Sequence, residues 1–83
     1  MAGSVQSDAY RNLLKALIAL RIEKGMSQSD LAAKLRKPPS FVGKYELGER
    51  RLDVIELLVI LRKLDTDFVA FWAQTDAVLP EHL

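Results

Sequence analysis

The 83-residue sequence predicts a compact all-α domain of five helices, and three kinds of observation support this fold class. Apolar residues recur at the helical spacing i, i+3 and i+4 in successive segments. Residues that cap helices stand at the boundaries of those segments. No segment alternates apolar and polar residues for long enough to form a strand. A chain of this length forms a single domain.

The first predicted helix reaches Lys24 and starts at a polar cap. Asp8, or Ser7 before it, can accept hydrogen bonds from the unpaired N–H groups of the first turn. Gly25 follows as the residue that ends the helix in a left-handed conformation. Four leucines are predicted to face the core, Leu13, Leu14, Leu17 and Leu20, and Ile18 is a further candidate.

The second helix is predicted to begin at Gln28. Ser27 precedes it, and Asp30 follows Ser27 at the spacing of a short capping box, in which each residue accepts a backbone N–H from the other. Apolar residues then share one stripe of the helix and should face the core. They are Leu31, Ala32 and Leu35.

Two prolines separate the second helix from the third. Pro38 and Pro39 cannot continue a helix, but proline fits the first turn of a new one. The third helix is therefore predicted from Pro39 to about Leu47, with Gly48 as its left-handed end. Two helices of about two turns joined by a short turn form a helix-turn-helix unit, here residues 28–47.

The C-terminal part of the chain predicts two further helices. The fourth begins at Asp53 and ends at Asp65, and the fifth opens at Thr66 and gives way to a polar tail. We expect a domain of residues 8–75 between a flexible N-terminus, 1–7, and a tail, 76–83. The apolar residues assigned to the third, fourth and fifth helices are Val42, Tyr45, Leu57, Ile60, Leu61, Leu64, Phe68, Val69, Phe71 and Trp72.

The helix-turn-helix unit resembles a known family. Its residues Gln28, Leu31-Ala32, Val42, Glu46 and Gly48 follow the pattern of the Xre/Cro-type helix-turn-helix domains of phage repressors and many bacterial regulators. The similarity spans about residues 13–72. It implies a lambda-repressor-like fold that binds double-stranded DNA and places the third helix in the major groove.

The resemblance implies roles for individual residues. Gln28 would bind a phosphate oxygen at the positive end of the second helix, and Lys44 has the chemistry to reach guanine O6 or N7. Arg50 and Arg51 would lie along the phosphate backbone. The predicted DNA-binding residues are Gln28, Arg36, Lys37, Pro39, Ser40, Phe41, Gly43, Lys44, Arg50 and Arg51.

Other residues are given structural roles. Arg21 and Glu46 match a pair that forms a salt bridge in the family and orients the third helix. Phe41 can belong to the core or touch a thymine methyl group, and packing is the favoured alternative because large apolar side chains are usually buried. The aromatic cluster Phe68, Phe71 and Trp72 is more than the core of one small helix needs, which indicates a dimer interface.

The sequence departs from the family pattern at two positions. Arg36 stands where the family usually has a left-handed glycine, so either the prolines reshape the turn or Arg36 accepts a strain of about 1 kcal/mol. Gly43 lies in the middle of the third helix, where glycine costs about 1 kcal/mol relative to alanine. Gly43 would permit close approach to DNA but supplies no side chain for reading bases.

The charge of the chain is divided between its two halves. The formal net charge is +1, but residues 34–51 carry a net charge of +4 and residues 52–83 a net charge of −4. This division predicts a basic surface at the helix-turn-helix unit and an acidic surface over the last two helices, and it would orient the domain toward DNA.

Composition argues against several other classes of protein. The chain has no cysteine and one histidine, so a disulfide framework, a thiolate zinc site, a histidine metal cluster and a catalytic triad are not expected. We therefore expect no enzyme, cofactor or metal. No apolar run is long enough to span a membrane, and the N-terminus does not resemble a secretory signal. The expected location is the bacterial cytoplasm or nucleoid.

Two functions remain open at this point. The first is a sequence-specific transcriptional regulator, with repression as the expected mode, that binds a palindromic operator as a homodimer. The second is a protein-interaction module, such as the antitoxin of a toxin–antitoxin pair, whose partner is a toxin or another regulator. A DNA reader depends on Lys44 and the basic residues around it, whereas an interaction module depends on the surface of Phe68 to Trp72.

Overall fold

The computed structural model describes residues 7–83, which form the predicted helices in the predicted order. The helices are α1 (Asp8–Glu23), α2 (Gln28–Leu35), α3 (Ser40–Glu46), α4 (Val54–Lys63) and α5 (Phe68–Ala73). No strand occurs in this part of the chain, so the all-α prediction is confirmed. Of the predicted flexible N-terminus, 1–7, only Ser7 lies within the described residues, and the predicted tail, 76–83, contains no helix.

The first two helices begin at side-chain caps. The Ser7 hydroxyl accepts the Tyr10 N–H at 3.1 Å, so Ser7 rather than Asp8 is the cap of α1. The Ser27 hydroxyl accepts the Asp30 N–H at 2.9 Å, and the Asp30 carboxylate accepts the Ser27 N–H at 2.9 Å. This reciprocal pair is the predicted capping box, and it starts α2 at Gln28.

The last two helices begin at aspartate caps. Asp53 accepts the Glu56 N–H at 2.7 Å, and the Glu56 carboxylate accepts the Asp53 N–H at 3.0 Å, which is a second capping box. Asp67 accepts a backbone N–H of the first turn of α5 at 2.8 Å, so this helix begins at Phe68 and not at Thr66. The cap satisfies an N–H that would otherwise lack a partner inside the helix.

All five helices contribute to one hydrophobic core. α3 packs against α1 and α2, α4 packs against α2, and α5 packs against α4. Burying an aliphatic side chain contributes about 2 kcal/mol, so the helix-turn-helix unit is held between α1 and α4 by its apolar faces. The buried side chains are Leu14, Leu17, Leu31, Ala32, Val42, Tyr45, Ile60, Leu61, Leu64 and Phe71.

Tyr45 brings a polar atom into this core. Its side chain is fully buried, and its hydroxyl has no hydrogen-bond partner among the described residues. Burial raises the pKa of Tyr45 above its ordinary value, and the nearby charge of Glu46 raises it further. The ring supplies the stabilising contact, because it packs edge-on against Phe41 with 5.8 Å between ring centroids.

Left-handed residues terminate the helices. Gly25 ends α1 with φ +73°, and Gly48 follows α3 with φ +81°, as the sequence predicts. Asp65 ends α4 with φ +59°, a conformation that aspartate tolerates better than most side chains.

Within residues 7–83, no helix is long and apolar enough to cross a lipid bilayer.

Candidate nucleic-acid interface

The turn between α2 and α3 is left-handed at Arg36. Its φ is +56° and its ψ is +44°, so Arg36 occupies the conformation for which the family pattern has glycine. The Arg36 and Lys37 N–H groups donate to the Ala33 and Ala32 carbonyls at 3.1 and 3.0 Å and close the end of α2. The sequence left two alternatives open, a reshaped turn or a strained Arg36. The structure shows the second, because Arg36 adopts the left-handed conformation.

Arg36→Gly is expected to raise the free energy of unfolding by about 1 kcal/mol, because glycine adopts this region without a steric cost. The same change should weaken DNA binding, since it removes an exposed cation. Urea denaturation and titration of duplex DNA measure the two effects separately. Arg36→Ala is the matched control, because it removes the charge and keeps the strained Cβ. Equal stability of the two variants would contradict the strain.

The side chain of Gln28 links the start of α2 to α3. Its Nε2 donates to Glu46 Oε1 at 2.8 Å, and its Oε1 lies 3.5 Å from the position of a Cβ atom added to Gly43. That distance is an ordinary contact, so space alone does not require glycine at position 43. An amide nitrogen carries two N–H donors, and one of those of Gln28 is directed to Glu46.

Arg21 and Glu46 form the predicted salt bridge. Arg21 Nε and Nη2 donate to the two carboxylate oxygens of Glu46 at 2.7 and 3.2 Å, and Nη1 donates to the Met26 carbonyl at 2.9 Å. The side chains are only 11% and 5% exposed. The hydrogen bonds to Glu46 raise the pKa of Arg21 above its ordinary value. Together with Gln28, this network joins α1, α2 and α3.

Phe41 is the centre of a cluster of cations. Its half-buried ring packs on the core, while Lys37 Nζ lies 5.5 Å and Arg50 Cζ 4.9 Å from the ring centroid. Cations over an aromatic ring are attracted to its negative face. Phe41 therefore packs as the favoured alternative predicted, and it also arranges two predicted DNA-binding residues around itself.

Arg50 has a second partner that the sequence analysis missed. Its Nη1 and Nη2 donate to the carboxylate of Glu56 at 2.9 and 2.6 Å. The hydrogen bonds from Arg50, and then the backbone N–H of Asp53, lower the pKa of Glu56 to about 2. Glu56 is therefore ionised at neutral pH and offsets the charge of Arg50, so the basic and acidic halves of the sequence meet at this pair.

Arg51 lies on a different aromatic ring. Its Cζ is 4.3 Å from the ring centroid of Tyr10 in α1, and the Tyr10 hydroxyl accepts the Leu52 N–H at 3.0 Å. The loop after α3 thus carries two arginines, each stacked on a ring from a different helix. Tyr10 is a second residue that the sequence analysis missed.

The exposed side of α3 carries the remaining predicted DNA-binding residues. Pro39, Ser40 and Lys44 are exposed, and Gly43 is half-buried beside Gln28. The positively charged residues Lys37, Arg50 and Arg51 lie in the turn before α3 and the loop after it. We call this set the candidate DNA surface: Gln28, Arg36, Lys37, Pro39, Ser40, Phe41, Gly43, Lys44, Arg50 and Arg51.

The predicted aromatic dimer interface is divided by the fold. Phe71 belongs to the core and is only 4% exposed, so it cannot offer a surface to a second chain. Phe68 is exposed and Trp72 half-buried, and their rings stack with 5.7 Å between centroids. A dimer contact at α5 can therefore use Phe68 and Trp72 but not Phe71.

A larger apolar surface lies on α4. Val54, Ile55, Leu58 and Val59 form one stripe and are between 40% and 69% exposed, and Val69 of α5 is also exposed. We call the four residues of the stripe the α4 face. The sequence carries a signal for it, because VIELLVIL is apolar on more than one side of the helix.

The fold and this surface define a class of protein: a helix-turn-helix domain in which an exposed face of α3 is bordered by cations in the turn before it and the loop after it. Comparison with known proteins agrees. A family model described as helix-turn-helix matches residues 17–71. The chain belongs to the Xre-type helix-turn-helix family of DNA-binding transcription regulators. No curated protein sequence matches the chain significantly.

Solved structures resemble the chain over most of its length. An XRE-family-like protein from Pseudomonas syringae pv. tomato strain DC3000 has 44% identity and a TM-score of 0.75 over 80% of each chain. The wild-type restriction–modification controller protein C.Esp1396I has 28% identity and a TM-score of 0.75 over 82% of this chain and 87% of its own. A tetramer of that controller bound to its natural 35 base-pair operator gives 28% identity and a TM-score of 0.74, covering 82% and 90% of the two chains.

Proposed function

We propose that this protein is a sequence-specific transcriptional regulator that binds a palindromic operator as a homodimer and represses by occluding a promoter. The observation that carries the proposal is the exposed face of α3, bordered by cations on the turn before it and the loop after it. Such a helix fits the major groove, and the cations meet phosphates on either side. The similar controller bound to its operator supports this assignment.

Base reading would rest mainly on Lys44. Lys44 is the one side chain of the exposed α3 face that is both charged and long, and lysine can donate to guanine O6 and N7. The Ser40 hydroxyl can donate to an acceptor atom of a base or accept from a donor atom. Gly43 has no side chain, so it allows the helix backbone to approach the DNA closely. With few direct contacts, part of the specificity would come from the shape and flexibility of the operator.

The α4 face is the proposed contact between two copies. A contiguous exposed apolar stripe is unusual on a monomer and marks an interaction site. A twofold pairing of α4 would place the Asp53 end of one helix near the Arg62 end of the other, so their charges would be complementary. To bind two half-sites of a palindrome, such a dimer must present its two α3 helices about 34 Å apart, one turn of duplex DNA.

The direct test is selection of bound sequences from random duplex DNA, followed by titration of the selected duplex at several salt concentrations. A palindrome bound by two chains would support the dimeric operator reader. Weak binding of every sequence with a steep salt dependence would contradict it and favour the antitoxin-like alternative, in which a protein partner binds near Phe68 and Trp72. Neither function requires a catalytic group, and both would operate in the cytoplasm or nucleoid.

Two substitutions should separate base reading from phosphate binding. Lys44→Ala is expected to reduce discrimination between the selected operator and its single-base variants by about 1–3 kcal/mol. Arg51→Ala should weaken binding to all duplexes about equally. It should also make the slope of log affinity against log salt concentration shallower by about one unit. Binding isotherms on both kinds of duplex measure these effects. Lys63→Ala, an exposed lysine of α4, is the matched control, and an effect of Lys63→Ala equal to that of Lys44→Ala would contradict the assignment.

A further inference from the structure

Tyr10 contacts the candidate DNA surface from a helix that is not part of the helix-turn-helix unit. It lies in the first turn of α1, and its ring packs partly against the core. Its hydroxyl accepts the Leu52 N–H at 3.0 Å, and its ring centroid is 4.3 Å from Arg51 Cζ. A single side chain thus contacts both the backbone and the guanidinium of the loop after α3.

These two contacts restrict the loop in different ways. The hydrogen bond fixes the backbone of Leu52, the residue directly after Arg51. The ring then favours positions of the guanidinium over its face, because a cation is attracted to the face of the ring and not to its edge. An arginine that is already ordered loses less side-chain entropy when it binds a phosphate.

We propose that Tyr10 is the positioning residue that presents Arg51 to a DNA phosphate. This inference rests on the proposed function, since it concerns how that surface binds DNA. Tyr10 itself contacts no DNA, and it acts through Arg51. Arg50 is held by the ring of Phe41 and the carboxylate of Glu56, and its Nη1 also donates to the Arg51 carbonyl at 3.3 Å. Because that acceptor belongs to the backbone, Arg51→Ala removes the guanidinium of Arg51 and keeps the acceptor of Arg50.

The test is a double-mutant cycle with Tyr10→Leu and Arg51→Ala, read as the affinity for the selected operator duplex. Tyr10→Leu is expected to weaken binding about threefold, the scale of an exposed cation–π contact. In the Arg51→Ala background, Tyr10→Leu should cause no further loss. An equal loss in both backgrounds would overturn the proposal, because Tyr10 would then act through the fold as a whole.

Tyr10→Phe separates the two contacts of the tyrosine. It keeps the ring beside Arg51 and removes only the acceptor for the Leu52 N–H, so its affinity should stay closer to that of the parent than the affinity of Tyr10→Leu does. A loss with Tyr10→Phe as large as with Tyr10→Leu would overturn the role of the ring.

A measurement without DNA distinguishes failure of this proposal from failure of the proposed function. In the parent protein, the Arg51 side-chain protons should show an upfield NMR shift from the ring current of Tyr10, and Tyr10→Leu should remove it. Absence of that shift in the parent would overturn the positioning role even if the protein binds its operator. With the shift present, failure of the parent to bind any duplex would contradict the proposed function.

Discussion

Replacing Glu46 with alanine is expected to lower the free energy of unfolding by about 3 kcal/mol, because the change removes one partner of an ion pair that is largely shielded from solvent. Glu46 accepts from Arg21 Nε and Nη2 and from Gln28 Nε2, and its side chain is 5% exposed. Without it, the guanidinium of Arg21 keeps its charge, and the Met26 carbonyl is the one acceptor that remains to it among residues 7–83. For a domain of this size, the melting temperature should fall by about 15 °C.

Thermal and urea denaturation followed by circular dichroism measure this effect. Glu46→Gln is the closest control, because it keeps an oxygen that can accept from Arg21 and removes the negative charge. It should therefore destabilise less than Glu46→Ala. A loss below about 1 kcal/mol for Glu46→Ala would contradict the prediction, since exposed ion pairs have that magnitude.

A second control separates stability from orientation. The double variant Arg21→Met with Glu46→Leu removes both charges and keeps apolar volume, so it should be more stable than Glu46→Ala. It also removes the acceptor of Gln28 and with it the hydrogen bond between α2 and α3. If the network of Arg21, Gln28 and Glu46 orients α3 for DNA, this variant should fold, but it should bind the operator more weakly than the parent does.

The helix boundaries could be predicted from the sequence because they depend on local contacts. The capping box of Ser27 and Asp30 joins residues three positions apart, and the cap at Asp53 has the same spacing. Apolar spacing likewise identifies the inward side of each helix without any knowledge of the fold. The salt bridge between Arg21 and Glu46 spans 25 positions and was found only through the resemblance to the Xre family.

Contacts between distant parts of the chain limited the prediction of the site. Tyr10 and Leu52 are 42 positions apart, and no periodicity or cap connects them. The pairing of Arg50 with Glu56 spans only six positions. In the structure, the capping box of Asp53 and Glu56 holds the Glu56 carboxylate at the start of α4. The local sequence pattern does not predict the direction of the loop after α3, and this loop brings Arg50 back over α4.

The fold buries Phe71, one residue of the predicted dimer interface, for a related reason. Aromatic residues in a short helix show that it has an apolar face, but they do not show which of them the core covers. The core covers Phe71 and leaves Phe68 exposed. On α4, the stripe of Leu57, Ile60, Leu61 and Leu64 accounts for the core, and the second apolar stripe has no partner within residues 7–83.

Ile55→Glu is expected to convert the protein to a monomer. Binding to an operator with two half-sites should then weaken about a hundredfold, because the two recognition helices are no longer joined in one dimer. Ile55 belongs to the α4 face and is 67% exposed, so a charge there is compatible with the fold. In a twofold interface every substitution occurs twice, so the contact would place two carboxylates in an otherwise apolar stripe.

Sedimentation equilibrium over a range of protein concentrations measures the oligomeric state, and titration of duplexes with one or two half-sites measures the binding. Ile22→Glu is the matched control for the oligomeric state, because Ile22 is also a helical isoleucine, is 62% exposed and lies in α1, away from the α4 face. This control should remain dimeric. For a single half-site, Ile55→Glu should bind nearly as well as the parent, since the candidate DNA surface is unchanged.

The two duplexes also distinguish loss of the dimer from damage to the recognition helix. Equal weakening on one and two half-sites would mean that Ile55→Glu disturbs the surface itself, since Ile55 lines a small groove together with Lys37 and Phe41. Weakening confined to the two-half-site duplex would mean that the α4 face supplies the second recognition helix. A parent protein that stays monomeric at every concentration, and occupies two half-sites independently, would contradict the dimer while leaving DNA recognition by α3 intact.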